Sequence, residues 1–353
     1  MFDETRKQEA EAMDLPVRIL GTRPEQPVIS VDGAWDAPGL NLSHWPGNRT
    51  PRELAHELST GVALNFARLP QARREELARG CVAIANNHFD TDGVCALFAV
   101  RYPELALQHE RALLDAAAAG DFFEFPSEAA LALDLFVAAS CDAQRSPIAA
   151  ELVGLDSPAR YQRATEHLLA NLPELLNGGL AAQRALWSAE VEAAKAERRE
   201  LERCLRDDVA HLDWTTWVAP RSAQTFSPGR HALLGSSRSD RVLIAAPAPG
   251  GMHYRLVVST RSWFDLPGRE RAPRPDLREL AARLNALEGC AAGDALAWRA
   301  QAADTPSPEV WFGGRDHELF AERCAALAPS SLDVATVRKC VAQVLRESLA
   351  LPE

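Results

Sequence analysis

The chain has 353 residues, 47% of them hydrophobic and 25% charged, enough apolar material for a sizeable core and too much for wholesale disorder. Acidic side chains number 49 against 38 basic ones, a net charge of -11, so no global field attracts nucleic acid, and an anionic ligand needs local cations or a metal. The seven cysteines are scattered, with no CxxC pair, which excludes a disulfide framework or a structural zinc knuckle and fits a reduced compartment.

The length suggests two domains. Residues 1–27 read as a polar lead-in, and Met1 to Asp14 lack the apolar run of a signal peptide. Val28 to Val31 is a short β-branched run, read as a buried strand ending at Asp32. Asn41 to His44 reads as a second strand. Thr50, Pro51 and Glu53 have the form of a capping box, which predicts a helix running to about Leu69. Cys81 to Ala85 is the next strand, and a helix is expected from Val94. Strand, helix, strand, helix in this order indicates an α/β fold with a parallel sheet and helices on both faces.

From Glu104 to Arg206 the chain is Ala/Leu-rich and helical, with Ala181 to Arg206 expected as one long connecting helix. After Trp214, His231 to Leu234, Arg241 to Ala245 and His253 to Thr260 read as strands. The expected division is therefore a lead-in at 1–27, an α/β domain with a helical extension at 28–206, and a smaller α+β accessory domain at 207–353. No apolar run approaches the ~20 residues that cross a bilayer, so a cytoplasmic location without membrane contact is expected.

The sharpest feature is His88-Phe89-Asp90-Thr91-Asp92-Gly93. An apolar strand delivers one imidazole and two carboxylates to its C-terminal end, where open α/β sheets bind ligands. Two carboxylates this close repel unless a cation lies between them. Mixed oxygen and imidazole donors suit Mn²⁺ or Fe²⁺, with Mg²⁺ as a further candidate. The plainer alternative is a polar loop in which Asp90 caps the following helix.

This string resembles the first motif of the DHH phosphoesterase superfamily, which includes RecJ-type exonucleases and oligonucleotide or cyclic-dinucleotide phosphodiesterases. The resemblance implies that Asp90, Asp92 and His88 are ligands of a divalent-metal pair, usually manganese. It also directs attention to three further segments. Val28 to Asp32 has the form of the strand-terminal aspartate. Ser43-His44-Trp45 occupies the place of the Asp-His-His motif and is followed by turn residues, and Leu58-Ser59-Thr60 resembles the step into the next helix. Ala116 to Asp121 resembles the last metal-ligand segment. The order is altered, because the second and third motifs precede the first, and Ser43 and Trp45 replace a carboxylate and a histidine. The layout also resembles a bacterial family without an assigned activity.

The implied ligands are Asp32, His88, Asp90, Asp92 and Asp121, with His44 and His88 as catalytic groups, His44 orienting a phosphate oxygen or protonating a leaving alkoxide. Asp32 and Asp121 have a plainer alternative as turn and helix caps. Asn48 and Arg49, in the turn after His44, are candidate substrate contacts. So are His253, beside the Gly250-Gly251 pair that resembles a glycine-rich substrate loop of the same superfamily, and Arg261, in an arginine-rich stretch with Arg255, Arg269, Arg271 and Arg274. A hairpin turn accounts for the glycine pair equally simply. Asp208, His211 and Asp213 read as a cap and a solvated face. No Walker or Rossmann fingerprint is present.

The leading expectation is a metal-dependent phosphoesterase acting on a small phosphorylated or nucleotide-like substrate, not on long nucleic acid. Two alternatives are a metal- or anion-binding protein without turnover and a metal hydrolase of a non-phosphate bond, because fold alone does not fix chemistry.

Overall fold

A computed structural model describes residues 13–33, 35–223, 226–268 and 273–349. The first part of the lead-in, together with Arg269 and Arg271, lies outside the described residues. The chain divides into two compact units. One comprises residues 1–121, 125–192 and 264–269; the other comprises 122–124, 193–263 and 270–353.

The first unit holds a parallel sheet of β1 (Val17–Ile19), β2 (Val28–Val31), β3 (Gly39–Leu42) and β4 (Ile84–Asn86) in the order β1-β4-β2-β3. Every pairing is parallel, so the C-terminal strand ends share one edge. Ile29, Val31 and Ile84 face a large core, while Val28, Ala83 and Ala85 pack with Leu20, Trp35 and Ala37 in a small cluster built from loop residues. The helices are α1 (Ser59–Ala67), α2 (Gln71–Leu77), α3 (Thr91–Arg101), α4 (Pro103–Gln108), α5 (Glu110–Phe122), α6 (Glu128–Ser140), α7 (Ala149–Leu152) and α8 (Ser157–Leu176), while α9 (Ser188–Leu201) starts in this unit and has most of its residues in the second. Val94 to Val100 of α3 are all buried, as expected of a helix that is apolar all round.

Several local expectations change. β1 lies inside the segment read as lead-in. Thr50 caps no helix: its hydroxyl accepts from Ser43 N and donates to Ser43 O, so only a 3₁₀ turn forms at Arg52–Leu54 and α1 begins at Ser59. The long helix expected over Ala181 to Arg206 is interrupted. Gly178 in the left-handed region (φ 106°) introduces a 3₁₀ stretch, Gly179–Leu186, before α9, and a strand begins at Leu205.

The second unit holds a mixed sheet of β5 (Leu205–Val209), β6 (Trp214–Val218), β7 (Arg241–Ala248), β8 (Gly251–Val258), β9 (Ala297–Ala300) and β10 (Glu309–Gly313), in the order β5-β6-β7-β8-β10-β9. Only β6 and β7 are parallel. α10 (Arg230–Gly235) takes the place of the strand expected at His231 to Leu234, because a four-residue apolar run is equally a buried helical turn. α11 (Leu277–Glu288) and α12 (Val334–Ser348) contribute their apolar stripes to one core with β7, β8 and β10. The fold is thus α/β, with a four-strand parallel sheet and a six-strand mixed sheet. Among the described residues no helix is long and apolar enough to cross a membrane.

Candidate metal centre

The shared edge of the parallel sheet is tied together before any ligand is placed. Asp32, just past β2, sits in the left-handed region at φ 48° and donates its N–H to Leu42 O. That conformation is uncommon outside glycine but tolerated by Asp. The Ser43 hydroxyl accepts from Gly33 N and Trp45 N, and Asn41 donates to Gly33 O. Ser43 therefore knits the ends of β2 and β3, and Trp45 reaches back to donate its indole N–H to Asp32 Oδ1.

The strand β4 delivers the acidic string. Asp90 is the N-cap of α3, with Oδ1 accepting from Gly93 N at 2.8 Å. Asp92 points instead at α1, whose N-cap position is the apolar Leu58. Its two carboxylate oxygens accept from Ser59 N (2.8 Å) and Thr60 N (2.7 Å). The Ser59 hydroxyl donates to Asp32 Oδ1 at 2.8 Å. Gly93 leaves room for these acids: a Cβ there would lie 2.3 Å from Asn86 Nδ2 and 3.1 Å from Asp32 Oδ2.

Two donor sets result, each with its ligand atoms within 4.8 Å of one another: Asp32, His44, Asp92 and Asp121, and Asp32, His88 and Asp90. Asp32 belongs to both. Its Oδ1 lies 3.8 Å from His44 Nε2, and its Oδ2 lies 3.0 Å from His88 Nε2. His44 Nε2 is also 3.0 Å from Asp121 Oδ2 and 3.5 Å from Asp92 Oδ2. His88 Nε2 is 2.9 Å from Asp90 Oδ2. Burial separates the sets: the side chains of Asp32 and His44 are 0% exposed, while His88 is 24% and Asp90 39% exposed.

His44 is oriented by its other nitrogen. Nδ1 lies 2.6 Å from Glu57 O, which can only accept, so Nδ1 carries the proton and Nε2 presents a lone pair in the neutral ring. The Phe264 ring stacks on the imidazole at 3.8 Å. On the more open side the Trp45 ring lies 4.9 Å from that of His88.

Crowding of carboxylates dominates the electrostatics. Burial, with the charges of Asp90 and Asp92, raises Asp32 to about 6. Burial and the charges of Asp92, Asp32 and Asp90 hold Asp121 well above the usual range. Burial opposes a charged His88, but Asp90 and Asp32 outweigh it and raise its pKa well above 6.5. Burial likewise opposes a charged Asp90, yet His88 and the Gly93 N–H pull it down to about 2. A cation among these oxygens relieves the repulsion that burial intensifies. The donor chemistry, carboxylates with an imidazole in the metal-ligating tautomer, fits a divalent ion such as Mn²⁺, Mg²⁺ or Fe²⁺.

The structure thus brings Asp32, His44, His88, Asp90, Asp92 and Asp121 together. The other expected contacts have partners within the protein. Asn48 closes its own turn, donating to Trp45 O and accepting from Thr50 N. Arg49 braces a loop by donating to Ala37 O, and its N–H donates to Asn41 Oδ1. His253 and Arg261 belong to the second unit. Gly250 lies in the β7–β8 hairpin turn and Gly251 opens β8, and Arg261 pairs with Glu124 and lies over the Phe122 ring. The backbone N–H groups of Ser59 and Thr60, the Glu57 carbonyl and the Phe264 ring were not legible as site parts, since none has a side-chain signature for the role. The Thr91 hydroxyl, which donates to Asp134 Oδ1 at 2.5 Å, adds a further carboxylate behind the acidic string.

The sequence model described as a family of unknown function (DUF6687) matches residues 20–353. No curated protein matches the chain.

Proposed function

The chain belongs to the DUF6687 family, and we propose that it is a divalent-metal-dependent phosphoesterase whose centre is a divergent, motif-permuted form of the DHH type. The observation that carries this reading is the position of Asp32, which offers one oxygen to His44, Asp92 and Asp121 and the other to His88 and Asp90. A carboxylate shared between two donor sets is what a paired-metal phosphoester site requires. The altered motif order is no obstacle, because parallel strands bring their C-terminal ends to one edge whatever their sequence order.

Divalent ions held there would polarise phosphate oxygens and lower the pKa of a water. The chain's own residues do the rest. Asp92 is locked by two backbone N–H groups and His44 by Glu57 O, so ligand geometry is set in advance. His44 is fully buried among carboxylates, which favours ligation over the proton-donor role expected from sequence. His88, partly exposed with Nε2 within 3.0 Å of Asp32 and Asp90, would complete the second donor set through the lone pair of its neutral ring, and those two carboxylates favour its protonated form only in the metal-free protein. With a net charge of -11, a small phosphorylated or nucleotide-like substrate fits better than long nucleic acid.

A metal-binding protein without turnover is the second reading. It is favoured by Ser43, whose hydroxyl is spent on Gly33 N and Trp45 N where the related motif would place a carboxylate. Metal content and hydrolysis of bis(p-nitrophenyl) phosphate in Mn²⁺, measured for wild type and Asp92→Asn, test both. Metal and turnover lost together support the phosphoesterase, and metal without turnover on this or on nucleotide substrates supports the second reading. An apo protein after manganese loading overturns both.

A further inference from the structure

The second unit contains a cavity of about 370 Å³ between α11, β9 and the segment after β10. Three arginines line it: Arg278 in the first turn of α11, Arg299 on β9 and Arg315 two residues beyond β10. Among the described residues, none of the three has a carboxylate within ion-pair distance. Arg299 instead donates to the carbonyls of Gly313, Ala292, Asp294 and Ala295, and Arg315 to that of Gly293. Carbonyl oxygens fix a guanidinium in place without cancelling its charge. The nearby Asp294 carboxylate is itself turned to Ala291 N. Burial, followed by the charge of Arg315, lowers the pKa of Arg299, so the two cations sense each other.

In a chain of net charge -11, three guanidiniums gathered around one cavity are a local reversal of the field. Trp298 and Trp311 supply the cavity's aromatic walls. Their indole N–H groups are already given to Glu288 Oε2 and Gly314 O, so the rings offer apolar surface and not hydrogen bonds. Ala281, Ala282 and Ala300 keep the remaining lining small. We propose that this cavity is a binding site for a small phosphorylated molecule with a flat apolar part, a nucleoside monophosphate in chemical class. Arg278 and Arg315 take the phosphate as forked donors, while Arg299, with four of its five N–H groups given to carbonyls, adds its charge. The walls take the flat part, and the volume is that of an ordinary small-molecule pocket.

The proposal is independent of the acidic centre in the first unit. The test therefore uses protein stripped of metal by a chelator and dialysed, carrying Asp92→Asn to remove the other candidate phosphate site. Adenosine monophosphate and inorganic phosphate are titrated by calorimetry into this protein and into the same protein carrying Arg278→Glu and Arg315→Glu. Both substitutions are at exposed positions, and retained circular dichroism and thermal transition establish that the fold survives. The expected result is saturable binding that weakens at least about tenfold in the charge-reversed protein. It should also weaken with salt and be tighter for the nucleotide than for phosphate. No binding at millimolar nucleotide, or equal affinity in the charge-reversed protein, overturns the site. Equal affinity for phosphate and nucleotide overturns the role of the tryptophan walls.

Discussion

Asp90 and Asp92 each do two things, which makes their substitution informative. Asp90 caps its own helix with one oxygen and meets His88 with the other. Asp92 spends both oxygens on the N–H groups of Ser59 and Thr60 while facing His44. Asn at position 90 keeps the cap but gives up the charge that faces His88 in a partly exposed pair, at a cost of about 1 kcal/mol. Asn at position 92 turns a donor toward one of two buried N–H groups and costs about 1–3 kcal/mol. Denaturant unfolding in a chelator at pH 5, below the value of about 6 to which burial raises Asp32, so that repulsion in the cluster is relieved, measures the difference. Asp92→Asn should be the more destabilised, and the reverse order would sink the assignment of Asp92 as the cap of α1. Gly93 is a second residue-scale case. Its Cβ would meet Asn86 Nδ2 at 2.3 Å and Asp90 Oδ1 at 3.0 Å, so Gly93→Ala should cost about 1–3 kcal/mol of overpacking and lower metal content together. Unchanged stability and metal content would mean the acids are free to shift.

At the scale of elements, the acidic centre rests on two helix N-termini, those of α1 and α3. Their partial positive charges face the carboxylates and offset part of their repulsion. The strands that carry the acids were legible because β-branched or apolar runs end abruptly in Asp or Asn, as at Val31 and Ala85. The parallel arrangement followed from the alternation with helices. What was not legible depended on partners distant in sequence. Thr50 has the local pattern of a capping box, yet Ser43 consumes its hydroxyl, and α1 takes its cap from Asp92. The strand expected at His231 is helical because four apolar residues do not fix a period. Asp32 was legible as a candidate ligand, but its place between two donor sets depends on the register of β2 between β3 and β4. Phe264 is the extreme case, an aromatic far along the chain that braces His44. Phe264→Ala frees the imidazole and should weaken Mn²⁺ binding about 10–100-fold, whereas Phe264→Leu keeps the wall and most of the affinity. Equal losses in the two variants, read by metal titration, would show that stacking does not position His44.

At the scale of the whole molecule, the two units should answer pH in opposite directions. In the first, burial and the neighbouring charges of Asp92, Asp32 and Asp90 raise Asp121, so the folded state holds a proton that the unfolded chain releases near the ordinary carboxylate value. Stability from this group is therefore lost as pH rises, and Asp121→Asn should stabilise metal-free protein by about 0.5–2 kcal/mol at pH 8 and by little at pH 4. Added Mn²⁺ should reverse the order, because the wild type has a carboxylate to give to the ion and the variant does not. In the second unit, Glu309 is buried and accepts from Arg255 at 2.7 Å through both oxygens and from His317 at 2.8 Å, with Arg230 as a further partner. Burial opposes its charge, but Arg255, His317 and Arg230 pull it down to about 2. Its contribution is present above the ordinary carboxylate value of 4.5 and is lost as pH falls toward about 2. Glu309→Gln leaves two buried guanidiniums short of their anion, at a cost of about 3–5 kcal/mol near neutrality that shrinks on acidification. Hydrogen exchange resolved along the chain measures both effects at once. Protection in α3 should fall with rising pH in a chelator and recover with Mn²⁺, while protection in β8 and β10 should fall only below pH 4.5 and ignore the metal. A manganese response in β10 of the same size as that in α3 would mean that the ion acts beyond the acidic centre, and the assignment of the ligand set would have to be redrawn.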